Sequence, residues 1–383
     1  MRLVHTSDWH LGRTLHGVEL LTHQAAYLDH LVDLVVDCAA DAVLVSGDVY
    51  DRAIPPVEAV ELLADALARL SAVTTVVLTP GNHDSATRLG FAAGLLRPDI
   101  HLRTRLADVG SPVLLPGDPG EQVAVYPLPY LDPAVAPEVL GEDQPLARSH
   151  QAVTEAAMSR VMADMSARPR VRSVVMAHAF VVGGAASDSE RDIRVGGVDC
   201  VSADAFAGVD YVALGHLHGA QRLTGPEPTV LQYSGSPLAY SFSEARQRKV
   251  TAVVDLGPVG EPTVELVPAP VPRRLVELTG PVDELLARAH AHRGDWVRVV
   301  ATDGRRPADL YARVRAAFPH ALVVEHRPGS AVEPQAPVVT ASRDPLAVVR
   351  EFVEHVTGAA PDVDEDAVLR TAYEAVLREE RSA

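Results

Sequence analysis

Cysteine is nearly absent from this sequence: Cys38 and Cys200 are the only two in 383 residues. That number builds no disulfide framework and no thiolate zinc site. The simplest reading is a pair of buried thiols in a reducing cytosol. No run of about 18 apolar residues occurs, so no transmembrane helix is expected. Ahead of His5 and Asp8 stands only Leu3-Val4, which is no secretory apolar segment. Positive charge is scarce too. The formal net charge is −17, which alone argues against tight, autonomous binding to a polyanion. A nucleic-acid function would need positive charge held locally or supplied by a partner.

What the chain has instead is a series of apolar strands that stop in polar turns. The most informative is Thr79-Pro80-Gly81-Asn82-His83-Asp84, directly after Val76-Val77-Leu78. A β-branched apolar run ending at Pro-Gly reads as a buried strand closing in a tight turn. The turn offers an amide oxygen, an imidazole and a carboxylate, the groups of metal-assisted phosphate chemistry. Upstream, residues 2–6 read as a strand before Ser7-Asp8-Trp9-His10, and residues 23–40 as a helix ending at Cys38, whose thiol reads as core packing. Residues 42–46 form a strand before Gly47-Asp48-Val49-Tyr50-Asp51, and Pro55-Pro56 opens a helix to about Ser71. With a strand at 74–79 this is β-α-β-α-β, which predicts a parallel sheet with right-handed crossovers.

Residues 105–150 read as irregular, with one strand at 122–126, and a helix follows at 151–167. A strand at 172–177 delivers His178, and one at 210–214 ends in Gly215-His216-Leu217-His218. Further strands are expected at 229–235 and 249–256. A Pro-rich join over 257–272 predicts a domain boundary. Residues 273–328 then read as strand–helix–strand–helix–strand, a small α+β domain. A second join precedes two amphipathic helices at about 344–357, capped by Asp344, and 364–380. Their stripes include Val349, Phe352 and Val356 in the first, and Leu369, Tyr373 and Leu377 in the second. The expected domains are 1–270, 271–330 and 340–383.

Ligands of an open α/β sheet bind beyond the carboxyl ends of its strands. Five such ends carry Asp8 and His10, Asp48, Asn82 and His83, His178, and His216 and His218. Each is weak by itself, since Gly-Asp marks turns everywhere and a lone histidine is commonly a satisfied core residue. All five, each after an apolar strand, point to a metal site. Read as extended backbone, Asp-x-His and His-x-His place both side chains on one face. Carboxylate, imidazole and amide without thiolate suit Mn²⁺ and similar ions better than structural zinc. Asp48 is the natural group to share between two cations. The other histidines, among them His5, His16, His23, His150 and His320, fit no spacing and read as surface or capping residues.

Asp8-x-His10, Gly47-Asp48-x-x-Asp51, Gly81-Asn82-His83-Asp84, His178 and Gly215-His216-x-His218 resemble the five motifs of the calcineurin-like metallophosphoesterases. His5-Thr6-Ser7-Asp8-Trp9-His10-Leu11-Gly12, the Ser187–Ile193 loop and Tyr233-Ser234-Gly235-Ser236-Pro237 further resemble the bacterial SbcD nuclease subunits, over essentially the whole chain. The resemblance implies a four-layer αββα sandwich, a small α+β capping domain and a C-terminal helical tail. It also implies one Mn²⁺ held by Asp8, His10, Asp48 and His218, and a second by Asp48, Asn82, His178 and His216, with Mg²⁺ as an alternative ion. His83 would orient the phosphate or protonate the leaving oxygen, and Asp84 would hold the His83 ring. Archaeal and eukaryotic relatives carry histidine where this chain has Asp51, so any contact of that position with phosphate is in question. The implied activities are 3′→5′ double-strand exonuclease and single-strand endonuclease. The implied partner is SbcC, a coiled-coil ATPase docked on the tail, in an assembly with two copies of each subunit, cytoplasmic and nucleoid-associated. Arg191 and Arg194, with Arg273, Arg274, Arg298, Arg305 and Arg306, are candidate contacts to DNA phosphates. Two rivals stand beside this reading: a phosphoesterase of the same fold for phosphoproteins or small cyclic phosphodiesters, and a binding subunit with a vestigial site.

Overall fold

The computed structural model describes residues 1–117, 122–141, 145–169, 171–190, 200–328, 345–357, 360–363, 365–370 and 372. Two six-stranded sheets stack face to face. In the first, β1 (Arg2–Thr6), β2 (Ala42–Ser46) and β3 (Thr75–Thr79) run parallel, followed by Ile100–Leu102. In the second, β4 (Arg172–His178) and β5 (Tyr211–Gly215) run parallel, flanked in parallel by Val123–Pro127 and Val230–Tyr233. The strand-forming runs are rich in Val, Leu and Ala and nearly wholly buried, as sheets covered on both faces require.

Side-chain alternation sorts these runs into three cores. Leu3, Leu44, Val77, Val174, Met176 and Ala213 meet between the sheets. Their neighbours Val4, Val43, Val45, Val76 and Leu78 point the other way, onto α1 (Leu21–Asp37) and α2 (Val57–Leu70). Val175, Ala177, Val212 and Leu214 face α3 (His150–Ala167), which adds Val153, Ala157 and Val161. Period-two alternation in strands buried on both faces therefore yields the αββα sandwich. The parallel directions of β1 to β5 gather their carboxyl ends along one rim.

The join at 257–272 departs from expectation. Thr263–Pro268 is an edge strand of the first sheet, antiparallel to Val250–Asp255. Its prolines and half-exposed pattern suit an edge and hid it among linker residues. Residues 105–150 likewise contain a short strand, Val113–Leu115, and a helix, Ala136–Leu140. A three-stranded parallel sheet, Leu275–Gly280, Trp296–Ala301 and Ala321–His326, has its own core around Leu278, Val299, Val314 and Phe318.

The cysteines are half-buried rather than buried, Cys38 at the end of α1 against the first core. His5 and His150, read as surface residues, are buried. Residues Met1–Arg327 form one compact unit and Pro328–Ala383 a second. The second contains the helix Pro345–Thr357, with Arg350 paired to Asp366. Asp344 and most of the second tail helix lie outside the described residues. No described helix is long and apolar enough to cross a membrane.

Candidate metal centre

The loops after β1 and β2 are laced together by backbone bonds: Asp8 N to Gly47 O (3.0 Å), His10 N to Asp48 O (2.9 Å) and Leu11 N to Val49 O (2.9 Å). Within them Asp8, His10 and Asp48 adopt left-handed backbone, with φ of 54°, 45° and 49°, and His216 has φ 102°. This corrects the extended reading of Asp-x-His and His-x-His. Tight turns, not pleating, aim these side chains at one point. Each such residue holds backbone strain of about 1–3 kcal/mol, which persists only where the surroundings enforce it. Glycine provides the clearance. A Cβ on Gly81 would lie 2.1 Å from Asp48 Oδ1, and one on Gly215 would lie 1.9 Å from Ser46 O.

The expected residues converge. Among the described residues three groups have donor atoms within 4.8 Å of one another: Asp8, His10 and His218; Asp8, Asp48 and His178; and His10, Asp48 and His83. Asp48 Oδ2 stands 3.3 Å from His178 Nε2 and 3.6 Å from His10 Nε2. Asn82 Oδ1 lies 2.9 Å from His178 Nε2 and 3.3 Å from His216 Nδ1. His10 and His218 bring their Nε2 atoms to 3.1 Å. Asp8, His10, Asp48, His178, His216 and His218 are all buried.

At His178 acceptor is turned toward acceptor. His178 Nδ1 donates to Ser46 O at 3.0 Å, so a neutral ring aims its Nε2 lone pair at Asn82 and Asp48. Ser189 Oγ donates to Glu244 and so accepts from His218 Nδ1 at 2.7 Å, aiming that ring's Nε2 lone pair at His10. His10 Nδ1 is buried without a hydrogen-bond partner. Such a set needs positive charge between its members. Without an ion a proton supplies it: burial would lower His178, but Asp48 and Asp8 outweigh burial and raise it to about 9. Burial would raise Asp48, but His178, His10 and His83 hold it well below the carboxylate range. Burial raises Asp8 to about 6, and lowers His216 to about 3 with the help of His178. Oxygen and imidazole donors without thiolate fit hard or borderline divalent cations.

Residues 1–220 match the family described as calcineurin-like phosphoesterase. Residues 271–357 match one described as type 5 capsule protein repressor C-terminal domain. The SbcD subunit of the SbcCD nuclease of Bacillus subtilis (strain 168) is 40% identical over 276 residues, 69% of this chain and 68% of that protein. This chain belongs to the SbcD family of calcineurin-like phosphoesterases. Two solved structures also resemble it. One is TT1561 of Thermus thermophilus, with TM-score 0.41, 14% identity and coverage of 70% of this chain and 98% of that one. The other is a dimetal phosphatase from Danio rerio, with TM-score 0.39, 14% identity and coverage of 69% and 98%.

The motifs of the SbcD family left the supports of this centre unread. Glu244, buried beneath His218, lies 3.2 Å from its Nδ1 and pairs with Lys249. Lys249 Nζ also donates to His218 O (3.0 Å) and Ser236 Oγ (2.9 Å). Burial would raise Glu244, but His218 and Lys249 hold it at about 2. Lys249 is the sole lysine of the sequence, and that rarity was a signal. A compact ammonium with three separate donors fits this buried spot, where a planar guanidinium does not. Ser7 Oγ donates to Asp8 Oδ2 (2.5 Å), and His216 N donates to Asp8 Oδ1 (3.0 Å).

The expectation that Asp84 holds the His83 ring fails. Its carboxylate accepts instead from Val49 N (3.0 Å), Tyr50 N (2.9 Å) and Gly81 N (2.9 Å), tying together the loops after β2 and β3. Burial and the Asp48 charge raise it to about 7, against those three N–H groups. His83 Nδ1 donates to Asp51 O at 2.8 Å. The Asp51 carboxylate lies 3.4 Å from Arg13 Nη1. Beside the centre opens a cavity of about 470 Å³, lined by Arg13, Asp51, Arg52, Asn82, His83 and Asp84. Of the candidate DNA-contacting arginines, Arg274 pairs with Asp295 (3.1 Å), and Arg298 with Glu325 (2.8 Å) and Glu277 (3.3 Å). These internal pairs neutralise them. Arg191 and Arg194 lie outside the described residues.

Proposed function

We propose that this chain is the nuclease subunit of an SbcCD-type complex, hydrolysing DNA phosphodiesters at ends and hairpins with two Mn²⁺, or Mg²⁺ as the alternative. The observation that carries this reading is the convergence of acceptor-facing buried side chains from five strand ends, with Asp48 between two groups. Asp8, His10, Asp48 and His218 would hold one cation, and Asp48, Asn82, His178 and His216 the other. When bound, such a pair supplies Lewis acidity toward a phosphate oxygen and acidifies water to near neutral pH. With Nδ1 committed to Asp51 O, His83 keeps Nε2 to orient the phosphate or protonate the leaving oxygen beside the cavity. Arg13 and Arg52 line that cavity and share the Asp51 carboxylate, at 3.4 and 3.5 Å, so positive charge for a phosphate would come from the bound cations.

The activities in this reading are 3′→5′ double-strand exonuclease, with ATP consumed by the partner, and single-strand endonuclease, in repair, replication and recombination on the nucleoid. Residues 271–330 act as the capping domain. An SbcC-type coiled-coil ATPase docks on the tail and supplies most DNA affinity. Phe352 and Val356, each 64% exposed on one helix, support that docking. Ile54, Val57, Phe91 and Leu95, all exposed, support pairing of two copies. The test is cleavage of a labelled DNA hairpin with Mn²⁺, beside p-nitrophenyl phosphate esters. Hairpin cleavage is expected. Ester turnover without hairpin cleavage would point to a small cyclic phosphodiester or phosphoprotein substrate. A chain ending near residue 338 is expected to keep its Mn²⁺ and lose co-purification with the ATPase.

A further inference from the structure

Asp51 ends the motif Gly47-Asp48-Val49-Tyr50-Asp51, and the chemistry above gives its side chain no part. Its backbone is pinned on both sides. Its own N–H donates to Leu11 O (3.2 Å), and the N–H groups of Val49 and Tyr50 before it donate to the Asp84 carboxylate. Its carbonyl oxygen is thereby held where His83 Nδ1 donates to it at 2.8 Å. Its carboxylate faces a different histidine. Asp51 Oδ1 lies 3.7 Å from His10 Nδ1, a buried nitrogen with no hydrogen-bond partner. The His10 and His83 rings themselves meet edge to face, with centroids 4.7 Å apart and planes at 84°. One residue thus reaches a candidate ligand and the candidate acid–base through two separate groups.

Arg13 holds that carboxylate in place. It stands just ahead of a short hairpin, Thr14–Leu15 with Val18–Glu19. Its Nη1 lies 3.4 Å from Asp51 Oδ1, its Nη2 donates to Ser189 O (3.0 Å), and its guanidinium lies over the Tyr240 ring at 5.1 Å. The same Tyr240 ring packs against His10, with centroids 5.3 Å apart. The side chains of Arg13 and Asp51 are 16% and 15% exposed, so salt screens this pair less than a surface pair. Arg52, 3.5 Å from Asp51 Oδ2, is 72% exposed and contributes little. An arginine lining such a cavity invites a reading as a phosphate contact. Here the protein itself engages both the fork and the face of the guanidinium.

A ligating imidazole commonly donates its other N–H to a carboxylate or carbonyl, which fixes the ring's orientation and tautomer. His178 has Ser46 O for this, and His218 has Ser189. For His10 the group in place is the Asp51 carboxylate. Like charges repel, so a carboxylate serves a phosphodiester better from behind the histidines than in contact with it. We propose that Asp51, clamped by Arg13, is a positioning residue that sets His83 through its peptide oxygen and His10 through its carboxylate. The proposal rests on the nuclease reading above.

The test uses the full chain and the variants Asp51→Ala, Arg13→Gln and the two combined. With Mn²⁺ and bis(p-nitrophenyl) phosphate, Asp51→Ala should lower kcat by about 10- to 100-fold, with KM changed by less than about threefold. Arg13→Gln should lower kcat less, again at near-constant KM. The double variant should fall no further than Asp51→Ala, because both changes break one arrangement. A raised KM at unchanged kcat in Arg13→Gln marks direct phosphate contact and overturns the proposal, as do losses that simply add. Nitrogen-15 spectra of the histidine rings in the metal-free chain, at about pH 8, give a second readout. The His83 signal, identified by its loss in His83→Gln, should show the Nδ1–H tautomer alone in the unmodified chain and a mixture in both single variants. One unchanged tautomer in all three proteins overturns the proposal. If Asp51→Ala does not fold, Asp51→Asn takes its place in both comparisons, since it removes the charge that Arg13 pairs with. An unmodified chain inert toward the ester counts against the nuclease reading alone, because the ring spectra need neither metal nor substrate.

Discussion

The metal centre and the hairpin pocket are both rich in histidine, yet they are built for ligands of opposite charge. At the centre, histidines face two buried carboxylates and an amide oxygen, and the set suits a cation. At the pocket lined by His16, His23, His320, Arg273 and Arg315, histidines stand beside arginines with no carboxylate of a described residue in the lining, and the set suits an anion. A third setting is His5, buried in the sandwich with Nδ1 2.9 Å from the Tyr211 hydroxyl and Nε2 without a partner. An imidazole accepts a metal, donates to an anion or stays neutral according to its neighbours. Residue type alone says little about which.

The contrast breaks most visibly at His83. His83→Ala should lower hairpin cleavage by about 10²- to 10⁴-fold, the range for losing a general acid or base, while Mn²⁺ binding by calorimetry stays unchanged. Lost Mn²⁺ binding would make His83 a ligand, as its place in the group with His10 and Asp48 allows. A smaller effect is expected one layer out. Glu244→Gln should weaken Mn²⁺ affinity by about 10- to 100-fold, the usual result of losing the partner that orients a ligating histidine. Lys249→Arg should do likewise, whereas neither change should alter oligonucleotide binding in the absence of metal.

The smallest effect is one of stability. Burial lowers His5 to about 3, against about 6.5 in an unfolded chain. Below pH 6.5 the unfolded chain binds a proton that the folded chain refuses. The contribution is therefore complete above pH 6.5 and is lost as pH falls toward 3, by about 3 kcal/mol at pH 4. His5→Gln should flatten the fall in urea-unfolding stability between pH 6.5 and 4 by about that amount. An unchanged slope would place the acid sensitivity elsewhere.

The candidate ligands were legible because each follows a run of apolar residues that can only be a covered strand, and parallel strands bring their ends to one rim. Asp8, His10, Asp48, Asn82, His178, His216 and His218 therefore stood out from the residue pattern alone. What the pattern could not carry was whatever depends on distant partners. The left-handed turns at Asp8, His10 and Asp48 exist because neighbouring loops enforce them, and local propensity speaks against them. Asp84 looked like a histidine's partner because it is adjacent in sequence, yet its oxygens reach N–H groups 34 and 35 residues upstream. Ser189 and Glu244 sit in unremarkable polar stretches, and only the fold brings them to His218. The strand Thr263–Pro268 was hidden by prolines that an edge position tolerates.

One consequence follows from how far apart along the chain the ligands lie. Asp8 leaves the ribosome long before His218, and the Glu244–Lys249 clamp emerges later still. A nascent chain thus carries no working cutter until both sheets have closed, and metal loading becomes a late checkpoint of biogenesis. Premature termination anywhere before that clamp would release a fragment with an incomplete centre.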